Sequence, residues 1–210
     1  MSCSLLHICQ QILHYLDERS TVSAGERFAQ ATLLDRLATA QGGLHLSGTS
    51  FVSGSDPATA EERLRREGIV LPPPPAPLGS YEPWVITGSL LMTSGQFSWL
   101  DGKLAFVGRV GGEVSSADAY LACRIAAMNA IAQLKAAVGS LDRISRIVRI
   151  EGTMQVAPGF QDHPAALNGA SDLINTVFGS KGRHSRMIYT NPEMPLNAPV
   201  LIVLFAEVEN

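Results

Sequence analysis

The sequence predicts an α/β (α+β) domain in which two helices cover one face of a mixed sheet, and three observations carry that expectation. Two short apolar pairs, WVIT with LLMTS and QFSWL with KLAFVG, are each split by a two-residue turn signal, Gly88-Ser89 and Asp101-Gly102. Two longer stretches, beginning near Ser116 and near Pro164, repeat their apolar residues at the spacing of a helix. Three further strand patterns interleave with or follow them: Arg146 to Val156, Ser185 to Tyr189, and the wholly apolar VLIVLFAEV.

Composition bounds the possibilities. The chain has 210 residues, 46% hydrophobic and 17% charged, with 16 basic residues against 19 acidic ones. That length suits one packed domain with an appendage. The acidic balance argues against nucleic acid as a partner, since only Lys181, Arg183 and Arg186, with His184 among them, form a basic cluster. No apolar run approaches the roughly 18 residues of a bilayer span, so no membrane partner is expected. The amino terminus lacks Lys or Arg before its apolar part and is interrupted by His7, Gln10, Gln11 and His14, so it fails as a signal peptide. A cytoplasmic location is the resulting expectation. Cys3, Cys9 and Cys123 form neither a disulfide framework nor a C-x-x-C motif, and Cys123 lies in an alanine-rich helical run as an inert core thiol.

Composition shifts near Asp56. Residues 1–55 read as a helical, loosely ordered N-terminal extension and linker: Leu5, Cys9, Ile12, Leu13 and Leu16 share a helix face, Ser23 with Glu26 suggests a capping box, and Gly42 to Ser55 is Gly/Ser-rich. His7 and His14 lack the regular ligand spacing of a metal site, and no metal is predicted. Residues 56–210 form the main domain. In it a charged helix, ATAEERLRREG, ends at Gly68, and Pro72 to Pro75 continues as extended chain, read as a stiff connector in preference to an SH3-type ligand. The two hairpins follow, with a II′ turn at Gly88-Ser89 and a I′ turn at Asp101-Gly102. Ser115 or Ser116 caps a helix that runs to Val138 and stops at Gly139, its small stripe Cys123, Ala127, Ala130 and Leu134 suited to close packing. In the next strand Val148, Ile150, Gly152, Met154 and Val156 should face the core. Asp162 is placed to cap a second helix that turns Leu167, Ala170, Ile174 and Val177 inward. One helical layer leaves the other sheet face bare, with Trp84 or Phe106 on it, so self-association is expected.

The motifs RLRREGIVLPPPPAPLGSYEPWVITGSLLMTSGQ, DGKLAFVGRVG, NAIAQLKAAVGSLDRISRIVRI, NGASDLINTVFG, GRHSR and MPLNAPV occur in that order. Over Ala60 to Asn210 the chain thereby resembles the Rid (YjgF) family, the reactive-intermediate imine and enamine deaminases, also described as endoribonuclease L-PSP-like. The resemblance implies a chorismate-mutase-like fold, a homotrimer with sheets facing inward, ligand clefts between subunits, and no cofactor. It also implies a small-molecule carboxylate or imine substrate, hydrolysed to a 2-keto acid and ammonia. The family's carboxylate-binding arginine falls on Arg186, and Tyr81, Ser94, Gly95 and Asn168 fall where the family lines its cleft. Arg186, Ser94 and Tyr81 are the catalytic candidates; Gly95, Asn168 and Ile188 join Arg186 in binding substrate. Two positions depart from the pattern: Ile188 replaces a cysteine two residues after the arginine, and Val203 replaces a glutamate on the final strand. Glu207, four residues on, lies about 13 Å away along a strand and is a poor substitute.

Alternation along GRHSRMIY puts His184, Arg186 and Ile188 on one side and Ser185, Met187 and Tyr189 on the other. His163 reads as a surface residue of a helix start. His184 either borders the cleft or sits at a strand edge, with the edge reading preferred. The leading functional expectation is a Rid-type imine or enamine hydrolase, or a relative repurposed for a more apolar substrate. A non-catalytic binder of 2-keto acids is the alternative, and a ribonuclease ranks last.

Overall fold

A computed structural model describes residues 58–209, so the readings of the extension 1–55 lie outside the described residues. The first element, α1 (Ala60–Arg66), opens on a full capping box: the Glu62 amide donates to Thr59 Oγ1 at 3.3 Å, and the Thr59 amide donates back to Glu62 Oε2 at 2.8 Å. Glu61 fastens this short helix to the body by accepting from Lys135 Nζ at 2.8 Å and from the Leu141 amide at 3.2 Å. The proline run is built in as a connector, because buried Gln133 donates to the Pro75 carbonyl at 2.7 Å.

The sheet strands are β1 (Trp84–Thr87), β2 (Leu90–Thr93), β5 (Ile144–Gln155), β6 (Ser185–Asn191) and β7 (Val200–Val208), and β3 (Trp99–Leu100) with β4 (Lys103–Leu104) forms a separate ribbon. The long helices are α2 (Ser116–Val138) and α3 (His163–Phe178). The five-stranded sheet has the order β1-β2-β7-β5-β6, antiparallel throughout except for the parallel β5–β6 pair that α3 connects. The architecture is therefore the mixed sheet the sequence predicts, with β1 and β6 as its two edges.

Turn chemistry holds at both hairpins. Gly88 alone has a left-handed φ of 58° at the first, while Asp101 at 50° and Gly102 at 78° both have one at the second, as II′ and I′ turns require. The second hairpin is nevertheless much shorter than predicted. Its entry is committed elsewhere: Gln96 pairs with Ile202 of β7, and Asn129 Nδ2 on α2 donates to the carbonyls of Phe97 and Trp99, each at 3.0 Å. Those bonds occupy backbone that a longer ladder would need.

Three other expectations are corrected. Irregularities between Ile144 and Arg146 and between Ile147 and Arg149 shift the phase of β5, so Ile144, Ile147 and Ile150 point inward and Val148 is 38% exposed. The predicted alternation holds from Ile150 through Gly152 to Met154. Phe106 is buried in the core at 5% exposure, and the open face instead presents half-buried Met92, Leu201, Val203 and Phe205. Asp162 occupies the α3 N-cap without a side-chain capping bond, leaving Pro at the helix start to set the first turn.

The helical layer is unusually tight. In α2, capped by the Ser115 hydroxyl, residues Ala119, Ala122, Cys123, Ala126, Ala127 and Ala130 are fully buried. Its 23 residues have the length and mean apolarity of a bilayer span, but two thirds of that stretch is buried, as expected of a central core helix. Gly169 of α3 lies so close to it that a Cβ there would come within 1.9 Å of the Tyr120 carbonyl oxygen. Gly169→Ala should therefore destabilise the fold by about 3 kcal/mol in urea unfolding, through overpacking against backbone that cannot swing aside. Burial pushes the Cys123 thiol up to about 12, so it should stay unmodified by iodoacetamide at pH 8 until the protein is unfolded, as read by peptide mass spectrometry.

Candidate functional site

Arg186 stands near the start of β6, the outermost strand, next to buried Ile150 of β5. Its side chain therefore leaves the sheet on the helix side and meets α3 at the rim. There its Nη1 donates to Asn168 Oδ1 at 2.7 Å and to Ser171 Oγ at 3.3 Å. A guanidinium carries five N–H donors, and these two bonds use both hydrogens of one nitrogen. Among the described residues nothing bonds the Nε and Nη2 edge. The exposed side chain is thus held from behind and presents one complete fork outward, the geometry that grips a carboxylate through two parallel bonds.

Asn168 and Ser171 reach Arg186 because they lie three residues apart on one face of α3. Behind them, His184 contacts Ser171 Oγ through Nε2 at 3.1 Å and the Gly182 carbonyl through Nδ1 at 2.5 Å. His184 stands immediately before the edge strand β6, as the preferred reading has it, and through Ser171 it is also the next link behind the arginine. Ile188 follows on the same side, paired with Gly152, where a Cβ would strike Leu167 at 2.7 Å. It makes the wall beside the guanidinium apolar.

Tyr81, Ser94 and Gly95 gather at the other end of the sheet. The Ser94 hydroxyl donates to the Glu82 carbonyl at 2.6 Å, and its amide donates to the Pro83 carbonyl at 2.8 Å. Its oxygen keeps lone pairs for a further donor. Tyr81 Oη accepts from the Leu78 amide at 3.1 Å, which leaves its own proton free to donate. Gly95 lies over Leu201 of β7, with its Cβ position 2.6 Å from that side chain, so a larger residue here would have to displace Leu201. Tyr81 and Gly95 line a small pocket with Pro77, Pro83, Gln96 and Phe97.

The predicted site thus divides in two. Arg186, Asn168 and Ile188 belong to the β6 edge; Tyr81, Ser94 and Gly95 belong to the β1–β2 edge. Three strand spacings, about 14 Å, separate β2 from β6, so one chain does not bring the halves together. The open face adds a residue missed in the sequence. Val203 is the register partner of Glu151 on β5, whose Oε1 accepts from Arg149 Nε at 2.7 Å. That bond from Glu151 raises the Arg149 guanidinium further above its ordinary value. Among the described residues no three His, Cys, Asp or Glu side chains are grouped to hold a metal ion.

Comparison with known proteins gives concordant matches. Residues 61–208 match the family model described as "YjgF/chorismate mutase-like, putative endoribonuclease". Protein TCP17 of Trypanosoma cruzi is 34% identical over 148 residues, 70% of this chain and 92% of its own length. A crystal structure of a "putative endoribonuclease" from Shewanella oneidensis is 54% identical with a TM-score of 0.70, covering 72% of this chain and 100% of that one. The protein Atu1372 from Agrobacterium tumefaciens, of unknown function, is 38% identical with a TM-score of 0.67, over 71% and 92% of the two chains.

Because Arg186 is exposed and anchored only by side-chain bonds at the rim, Arg186→Ala should fold normally. Thermal and urea unfolding should place its stability within about 1 kcal/mol of the wild type.

Proposed function

Since the chain belongs to the YjgF/chorismate mutase-like family, we propose that it hydrolyses a reactive 2-imino or enamino acid to a 2-keto acid and ammonia in a cleft between two copies. The observation that carries this reading is the free guanidinium fork of Arg186, held from behind by Asn168 and Ser171 and facing outward. A planar, permanently charged fork suits a carboxylate better than a single ammonium would.

Completion of the site by a second copy follows from the division between two sheet edges. A head-to-tail contact sets the β6 edge of one copy against the β1–β2 edge of the next, and such contacts form a ring when the rotation between copies closes. The homotrimer expected from the family resemblance is one such ring, and it also covers Met92, Val203 and Phe205 on the open face. In the composite cleft Arg186 grips the carboxylate. Tyr81 of the adjoining copy donates its free phenolic proton toward the imine nitrogen, and Ser94 accepts an N–H or positions water. Water adds to the imine carbon, the C–N bond of the resulting carbinolamine breaks, the nitrogen leaves as ammonia, and the carbon keeps the oxygen as a ketone. The imine carbon is already electrophilic, so placement of water and stabilisation of charge are the protein's main contributions. Ile188 makes the wall beside Arg186 apolar and favours a substrate with an apolar side chain.

Ile188 and Val203 also favour a second reading. Without the family's cysteine and glutamate, the same clamp suits a protein that binds a 2-keto acid and does not turn over. Timing ammonia release from 2-iminobutanoate decides between them: the proposal expects acceleration over the spontaneous rate, removed by Arg186→Ala, and no acceleration sinks it. For either reading Arg186→Ala should weaken 2-oxobutanoate binding by roughly 30-fold or more in calorimetry. Sedimentation should find a trimer, and a strictly monomeric protein would refute the composite cleft. Titration with single-stranded RNA at two salt concentrations should show no binding.

A further inference from the structure

The bonds behind Arg186 have a direction that can be worked out atom by atom. The Gly182 carbonyl can only accept, so the 2.5 Å contact with His184 Nδ1 requires a proton on that nitrogen. Gly182 is fixed where it stands, because a Cβ there would lie 2.7 Å from the Ile174 carbonyl oxygen of α3. At the middle of the chain, Ser171 is 7% exposed and its Oγ accepts a hydrogen from Arg186 Nη1. The hydroxyl has one proton of its own, and the remaining acceptor within reach is His184 Nε2 at 3.1 Å. A neutral ring protonated at Nδ1 satisfies every member.

We propose that Ser171 and His184 are positioning residues for Arg186, joined in a one-way relay from the guanidinium through the hydroxyl and the Nδ1–H tautomer of His184 to the Gly182 carbonyl. Neither touches the substrate. Their effect is to fix the Nη1 end of the guanidinium from the protein side, while Asn168 fixes it from the rim, so that the opposite edge is presented in one orientation. A long, exposed arginine otherwise spreads over many rotamers, and binding would have to freeze them. The relay removes that cost before the ligand arrives. It depends on the reading of Arg186 as the carboxylate clamp for its functional consequence, but the tautomer itself does not.

The test therefore has two arms on the full-length protein. In the first, long-range proton–nitrogen correlation of histidine-labelled protein at pH 8 should find one imidazole as the Nδ1–H tautomer, assigned by its loss in His184→Gln. A neutral Nε2–H form or a doubly protonated ring at this position would overturn the relay. In the second, 2-oxobutanoate is titrated calorimetrically. Ser171→Ala and His184→Leu should each weaken binding roughly 10-fold. His184→Gln, whose side-chain oxygen can accept from Ser171, should recover most of that loss. Equal losses in His184→Leu and His184→Gln, or wild-type affinity in Ser171→Ala, would overturn the positioning role. If the wild type binds no 2-oxobutanoate, the clamp reading fails and the functional role falls with it; the tautomer arm then judges the bond chain separately.

Discussion

The contact between Gly169 of α3 and the Tyr120 carbonyl of α2 is the constraint on which the rest of this domain depends. Side chains on two packed helices ordinarily keep the axes 8–10 Å apart. Here an alanine-rich α2 and a glycine at the crossing let backbone meet backbone, which fixes the depth and the rotation of α3. Asn168 precedes that glycine and Ser171 follows it by two, so the seating of Gly169 also aims both polar residues at the β6 rim. Stability and site geometry thus share one residue.

The sheet adds a second constraint. The parallel β5–β6 pair places α3 over one margin of the sheet, while the β1–β2 hairpin occupies the opposite margin. Polar groups capable of handling a small acid lie at both margins, and the middle of the open face is largely apolar apart from residues such as Arg149, Glu151 and Thr153. An edge strand with unpaired backbone and an apolar open face are both features that proteins cover. Covering them by copies of the same chain would also join the two halves of the site, so the demands of solubility and of a composite cleft point to the same solution.

Much of this was legible in the sequence because it rests on local rules. The Gly88-Ser89 and Asp101-Gly102 turns, the Ser115 cap, the Gly139 stop and the inward row Leu167, Ala170, Ile174, Val177 are each decided within a few residues. The failures have nonlocal causes. Ile147 and Val148 are both β-branched, so alternation cannot tell which faces the core, and the phase shift in β5 decides against Val148. The QFSWL strand loses its length to Asn129, some thirty residues away on α2. Ser171 and His184 are thirteen positions apart and meet only because Gly182 is pressed onto α3. Glu151 could be set beside Val203 only once the β5–β7 register was known.

That last pairing bears on how an imine hydrolase could work without the usual acid on its final strand. Glu151 stands in register with Val203, but one of its oxygens is already engaged by Arg149. A cleft walled by Ile188 beside the guanidinium also holds less water, which strengthens the electrostatic hold of that guanidinium on its anion. Under the proposed reading, catalysis in this chain therefore shifts from proton transfer toward positioning: a carboxylate fixed in a pre-oriented fork, an imine nitrogen met by a phenol, and one water held near a carbon that is already electrophilic. The orientation of Arg186 then matters more here than in a relative that retains its glutamate, because fewer groups remain to share the work of alignment.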